Sequence, residues 1–200
     1  MPISTRRRAT APNRPLVFLR GFLENPKEVG SLVPSSRFLI RRVLECGGVS
    51  RARVVVDLGA GTGVLTREIL RRMPQDGCLL AVEINPRFVR VLRREIQDPR
   101  LVIFEGSSTD LEEALGQAGE RCADLVLSGI PFSTMARGEG FRTLKAAKQV
   151  LGPSGRFVAY QFRSHVRRLA EPLFGQAEMH GALWNLPPMK IYVWRAEDSG

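Results

Sequence analysis

The chain has 200 residues, 44% of them hydrophobic, and a formal net charge of +10. That length suits one domain able to bury a core unaided, and Cys46, Cys78 and Cys122, lacking C-x-x-C spacing, argue against a disulfide framework or a zinc site and fit a reducing cytoplasm. No apolar run reaches the roughly 20 residues that cross a bilayer, since the N-terminal stretch Leu16 to Leu23 is interrupted by Arg20.

The charge is concentrated at the start. Residues 1–53 carry eleven Lys and Arg against three Glu, so +8 of the total precedes the first core strand. Such a balance implies an anionic partner, nucleic acid or a membrane surface, and composition does not choose between them. Residues 1–14 read as a basic disordered tail; Arg6-Arg7-Arg8 is not followed by the uninterrupted apolar core of an export signal. Residues 15–50 read as two amphipathic helices. In the first, Phe18, Leu19, Phe22 and Leu23 share a face with Arg20 and Glu24 opposite. In the second, Ser35 or Ser36 can cap the start, Leu39, Ile40, Val43 and Leu44 share a face, and Gly47-Gly48 ends the helix.

Residues 51–196 form the main domain. Short apolar runs alternate there with segments of helical period, the pattern of βαβ units in a parallel sheet. Strands are predicted at Val54 to Leu58, Cys78 to Glu83, Leu101 to Phe104, Ala123 to Ser128 and Arg156 to Phe162. Helices are predicted at Leu65 to Met73, Pro86 to Ile96, Asp110 to Leu115, Gly140 to Leu151 and around His165 to Phe174. Two further runs, Glu178 to Trp184 and Lys190 to Trp194, flank Asn185-Leu186-Pro187-Pro188 and predict a closing hairpin. The expected class is α/β, with a seven-stranded, mostly parallel sheet whose last strand is antiparallel.

A strand ending in Asp57 runs into Gly59-Ala60-Gly61-Thr62-Gly63 and then a helix. Small residues there let the backbone approach a nucleotide at a helix N-terminus. The dinucleotide fingerprint needs Gly or Ala three residues after Gly63, where this chain has Thr66, so NAD is disfavoured. The segment VVVDLGAGTGVL instead resembles the first motif of class I methyltransferases, which implies that Asp57, Gly59, Gly61 and Gly63 hold S-adenosylmethionine. Glu83, closing the second strand, can accept hydrogen bonds from both ribose hydroxyls. Ser107 stands where such enzymes often contact the adenine amino group; a turn and cap built from Ser108 and Asp110 is the alternative.

The fourth strand runs out at Ser128-Gly129-Ile130-Pro131-Phe132, the position of the N-P-P-[FY] motif of amino-directed methyltransferases. Adenine N6 enzymes hold the exocyclic amine with the Asn or Asp of that motif, and here Ser128 or Gly129 takes its place. An alkyl ammonium fits better, held by backbone carbonyls and by the faces of Phe132 and Tyr160. It must lose a proton before attack. His165, just past the fifth strand, is the candidate for that proton or for a phosphate, and Arg163, Arg167 and Arg168 make a cationic rim.

Taken together, FLRGFLENPKEVGSLVPSSR, VVVDLGAGTGVLTR, VEINPRF, LSGIPFS, YQF and NLPP followed by IY resemble the small bacterial phospholipid N-methyltransferases, which are distantly similar to ribosomal RNA adenine dimethylases. The resemblance spans most of the chain. It implies a Rossmann-like class I fold, S-adenosylmethionine as cofactor with S-adenosylhomocysteine as product, and methylation of phosphatidylethanolamine toward phosphatidylcholine. It also implies that Phe18 and Phe22 attach a monomeric, cytoplasmic enzyme peripherally to the anionic inner membrane, with no metal. Family members often follow the Gln-Phe pair with Thr-Tyr-Gly, whereas this chain has Arg163-Ser164-His165, so the headgroup is open. The rival acceptor is RNA. It is disfavoured because SGIPF lacks the Asn and because only about forty residues follow Tyr160, too few for a helical RNA-binding domain.

Overall fold

The computed structural model describes residues 34–133, 135–161, 164–182 and 189–196. The basic tail, the helix expected around Phe18 and Phe22, Arg163 and the Asn185 to Pro188 turn lie outside them. The strands are β1 (Val54–Leu58), β2 (Cys78–Glu83), β3 (Leu101–Glu105), β4 (Ala123–Ser128), β5 (Leu151–Gln161), β6 (Glu178–Ala182) and β7 (Met189–Arg195). Helix α1 (Pro34–Gly47) precedes β1. Helices α2 (Val64–Leu70), α3 (Pro86–Glu95), α4 (Leu111–Gln117), α5 (Glu139–Val150) and α6 (His165–Phe174) follow β1 to β5 in turn.

The seven strands form one sheet in the order β3-β2-β1-β4-β5-β7-β6. Strands β1 to β5 pair in parallel, and β7 runs antiparallel to both β5 and β6, so the closing hairpin is present. Central strands covered on both faces must be apolar at successive positions rather than alternately. Val55 and Val56 accordingly face opposite cores and are both fully buried. Helices α1 and α2 cover the Val55, Leu127 and Val158 face. Helices α4, α5 and α6 cover the Val56, Val126 and Phe157 face. The result is a three-layer, Rossmann-like sandwich. The chain builds outward through β2 and β3 and then returns to place β4 on the other side of β1. At that reversal a crevice opens beyond the carboxyl ends of β1 and β4, where open α/β sheets bind ligands.

The largest boundary difference is at the fifth strand. The sequence places the start of the fifth strand at Arg156, but β5 begins at Leu151, directly after α5. Its register with β4 shifts between the pairs Ala123/Leu151 and Leu125/Arg156. Gly152, Pro153 and Gly155 make that irregularity; proline and glycine in a strand commonly mark a bulge.

The far end of the sheet is closed by aromatic packing. The fully buried Trp194 ring lies 5.5 Å from Phe157, 5.7 Å from Tyr192 and 6.2 Å from Phe174, centroid to centroid. Trp194→Ala leaves a cavity among these rings, and urea denaturation is expected to report a loss of about 3–5 kcal/mol; a loss below about 1 kcal/mol would mean that β7 does not anchor this layer.

Candidate active site

The turn after β1 is built on backbone conformations that favour glycine. Gly59, Gly61 and Gly63 have φ of 76°, 57° and 81°. These left-handed angles cost a side-chain-bearing residue energy that glycine does not incur. Gly63 has a second reason: a Cβ there would lie 2.7 Å from both Leu92 Cδ2 and Ile96 Cδ1, so α2 starts in tight packing against α3. The turn is tied to the neighbouring strand. The Gly59 amide donates to the Val82 carbonyl at 2.9 Å, and the Gly61 amide donates to Glu83 Oε2 at 2.8 Å. Glu83 Oε1 accepts from the Asn85 amide at 2.8 Å, and Asn85 in turn caps α3. Each Glu83 oxygen keeps a lone pair for a ligand hydroxyl.

Asp57 sits beneath the loop with 1% of its surface exposed, and Thr66 Oγ1 donates to its Oδ2 at 2.7 Å. Burial pushes the Asp57 carboxyl up to about 7, the Thr66 hydroxyl pulls against that, and the Glu83 carboxylate adds to the rise. A buried carboxyl in this condition is a receptor for a cation, which would favour its charged form.

Two cavities meet at Gly59. The larger, about 270 Å³, is lined by Glu83, Ile84, Phe88, Ser107, Ile130, Pro131 and Met135 among others. Ile84 is 68% exposed, an apolar side chain left open beside a carboxylate, as a flat heterocycle linked to a diol would require. The smaller cavity, about 20 Å³, is bounded by Asp57, Thr62 and Tyr160 and roofed by Leu39, Ile40 and Val43 of α1. Tyr160 is partly buried, and burial together with the Asp57 charge raises its phenol well above the usual tyrosine range, so it stays protonated.

The structure therefore brings together Asp57, Gly59, Gly61, Glu83, Ser107 and Tyr160 around these two cavities. Ser107 Oγ also accepts from the Thr109 amide at 3.2 Å, while Ser108 Oγ lies 2.8 Å from Thr143 Oγ1 and ties this turn to α5. Asp110 stands at the N-cap of α4 without a side-chain bond to it. Other expected site residues stand elsewhere. Phe132, 2% exposed, packs into the core with Leu144 and Val166 and lines neither cavity, so its ring offers no face to an ammonium. Ser128 is fully buried and its Oγ accepts from the Ile130 amide at 3.4 Å, holding the turn rather than facing the cleft. His165 opens α6 with its Nδ1 3.4 Å from Arg168 Nη2, and it too lines neither cavity. Arg167 is engaged along the helix, Nε to Glu171 Oε1 at 2.6 Å. Arg163, Phe18 and Phe22 lie outside the described residues.

Thr66, Ile84 and Met135 are among the site residues that the sequence did not single out. Thr66 carried a signal, a hydroxyl one turn into the helix after the glycine loop. Ile84 and Met135 carried none, since an exposed aliphatic residue is ordinary until a cleft is seen beside it.

Residues 55–155 match the methyltransferase domain family, and the chain belongs to that family, with S-adenosylmethionine as its cofactor. Among individual proteins, it is 33% identical over 185 residues to the ornithine lipid N-methyltransferase of Singulisphaera acidiphila, covering 90% of this chain and 94% of that one. It is 28% identical to the demethylmenaquinone methyltransferase of Tropheryma whipplei over 64% of this chain and 48% of that one. In fold it is similar to the N-methyltransferase NodS from Bradyrhizobium japonicum WM9 in complex with S-adenosyl-L-homocysteine, with a TM-score of 0.70, 13% identity, and 90% and 96% of the two chains covered.

The Asp57 carboxyl gives a pH test. The folded carboxyl keeps its proton up to about 7, whereas an unfolded aspartate releases it near 3.9. The folded state thus binds more protons across that window, and Asp57 costs the free protein stability as pH rises through it. Asp57→Asn removes the cost, so urea denaturation is expected to find the variant gaining on wild type by up to about 4 kcal/mol between pH 4 and pH 8. A difference that does not change with pH contradicts the assignment.

Proposed function

We propose that this chain transfers methyl groups to the primary amine of a zwitterionic membrane-lipid headgroup. The observation that carries the proposal is the 33% identity, nearly end to end, with a lipid N-methyltransferase. When bound, S-adenosylmethionine supplies an electrophilic methyl on a sulfonium. The chain's part is to orient it and to present a neutral nitrogen in line. Glu83 is placed to hold the ribose hydroxyls, Ile84 and Ile130 to flank the adenine, Ser107 to face its amino group, and Asp57 to meet the ammonium of the methionine end.

The acceptor side supports an alkyl amine. Gly129 brings no amide for an exocyclic amine, and the apolar roof of Leu39, Ile40 and Val43 disfavours the charged form of any amine brought beneath it. Such burial helps an alkyl ammonium shed the proton that blocks attack. Two headgroups share this chemistry: the ethanolamine implied by the resemblance to phospholipid methyltransferases and the ornithine named in the relative. Each carries a primary amine a few bonds from an anion.

Peripheral membrane attachment follows from the same reading. Phe18, Leu19, Phe22 and Leu23 would insert, and the basic residues around them would meet anionic lipid. In α1, Arg37, Phe38 and Arg41 are exposed, Phe38 at 45%. No helix among the described residues is long and apolar enough to cross a membrane.

The test is incubation with methyl-labelled S-adenosylmethionine and vesicles containing phosphatidylethanolamine, ornithine lipid or neither, beside ribosomal RNA. Label is expected in an aminolipid and not in RNA; label in RNA with none in lipid overturns the proposal. Flotation with vesicles of anionic lipid is expected to fall at least about tenfold for the Phe18→Ser, Phe22→Ser variant, since each buried aromatic side chain contributes roughly 1.5–3 kcal/mol. Unchanged flotation contradicts anchoring by that helix.

A further inference from the structure

Ser128 or Gly129 takes the place of the amide-bearing residue of related motifs, and the structure shows what fills the space at Gly129. β4 and β5 run parallel with Leu127 opposite Val158 and Ser128 opposite Ala159. Gly129 and Tyr160 therefore stand side by side just beyond the last paired residues. A Cβ on Gly129 would come within 2.5 Å of Tyr160 Oη and 3.1 Å of its Cζ. The phenol occupies the volume that any side chain at position 129 would need.

We propose that Gly129 and Tyr160 form a mutually exclusive pair that selects the acceptor, the Tyr160 hydroxyl taking over from a side chain at position 129 as the polar group that positions the acceptor nitrogen. This inference rests on the lipid-amine reading given above. Gly129 lines the larger cavity and Tyr160 the smaller, with Gly59 common to both, so the hydroxyl stands where the two meet. Held protonated, it keeps its acceptor lone pairs. A neutral primary amine has two N–H donors and one lone pair. Donating one N–H to the phenol oxygen leaves the lone pair free to point at the methyl. An amide group at position 129 would instead engage a planar exocyclic amine, and it could be accommodated only if the phenol moved away.

The neighbouring residue holds the arrangement in place. Gln161, 7% exposed, donates from Nε2 to the Ile130 carbonyl, so the residue after Tyr160 is bonded to the residue after Gly129. This cross-strand tie fixes the spacing between the phenol and the Gly129 backbone. It makes Gln161 a positioning residue that acts through Tyr160.

A double-mutant cycle tests the pair. The lipid kcat/KM is measured on aminolipid vesicles for wild type, Gly129→Ala, Tyr160→Phe and the double variant, with calorimetric affinity for S-adenosylhomocysteine as a check on the cofactor cleft. Each single substitution is expected to lower kcat/KM by about tenfold or more, with cofactor affinity within about threefold of wild type. The double variant is expected to fall no more than about threefold below Tyr160→Phe, because removing the hydroxyl also removes the clash that Gly129→Ala creates. Losses that multiply independently overturn the inference. Tyr160→Phe adds no atoms and keeps the fold, so wild-type kcat/KM in that variant overturns it by itself. A wild-type enzyme that labels no aminolipid overturns the lipid-amine reading and this inference with it, an outcome distinct from a wild type that labels lipid while the cycle is additive.

Discussion

The 2.8 Å hydrogen bond from the Gly61 amide to the Glu83 carboxylate joins the two halves of the cofactor cleft, and the placement of nearly everything else follows from it. It requires a loop with positive φ at three positions, hence three glycines. It requires β2 to end level with β1, which the register Leu58 opposite Val82 provides, leaving Glu83 one residue further on. Once that carboxylate holds the loop, α2 begins directly after Gly63, Thr66 falls over Asp57, and the buried acid faces the cavity beneath α1. A charged group with this much burial is tolerated only where a partner answers it. Thr66 answers in part, and an incoming cation would complete the pairing.

On the other flank of β1, the parallel register of β4 with β5 sets Gly129 beside Tyr160. There the chain uses absence as a device, because a missing side chain at position 129 makes room for a phenol at position 160. The cavity roof comes from α1, which precedes the sheet in sequence and packs on the same face as Asp57 and Tyr160. The basic, aromatic-bearing N-terminal third therefore leads directly into the roof of the site. Most described surface arginines pair with acids, as Arg41 does with Glu45 and Arg167 with Glu171. Exposed pairs of this kind add little stability.

Local signals in the sequence were enough for the glycine loop, Glu83 and the strand pattern, because each depends on residues a few positions apart. The parallel sheet and its closing hairpin could be read for the same reason. What could not be read depended on which way a side chain turns at a strand end. Phe132 follows Pro131 and reads as an aromatic at the reacting edge, yet the turn directs it into the core under α5 and α6. Ser128 is the last residue of β4 and is covered on both sides by neighbouring strands. Thr66 counted in the sequence only as the wrong residue for a dinucleotide site, although in the fold it is the partner of Asp57. The clash between positions 129 and 160 arises from cross-strand register, which no local pattern encodes.

The most direct test of this account is a crystal structure with S-adenosylhomocysteine bound. It should place the adenine between Ile84 and Ile130, the ribose hydroxyls on Glu83, the amino end toward Asp57, and the sulfur facing the Tyr160 hydroxyl across Gly129. A nucleoside outside the Glu83 cleft, or a sulfur directed away from Tyr160, would contradict it.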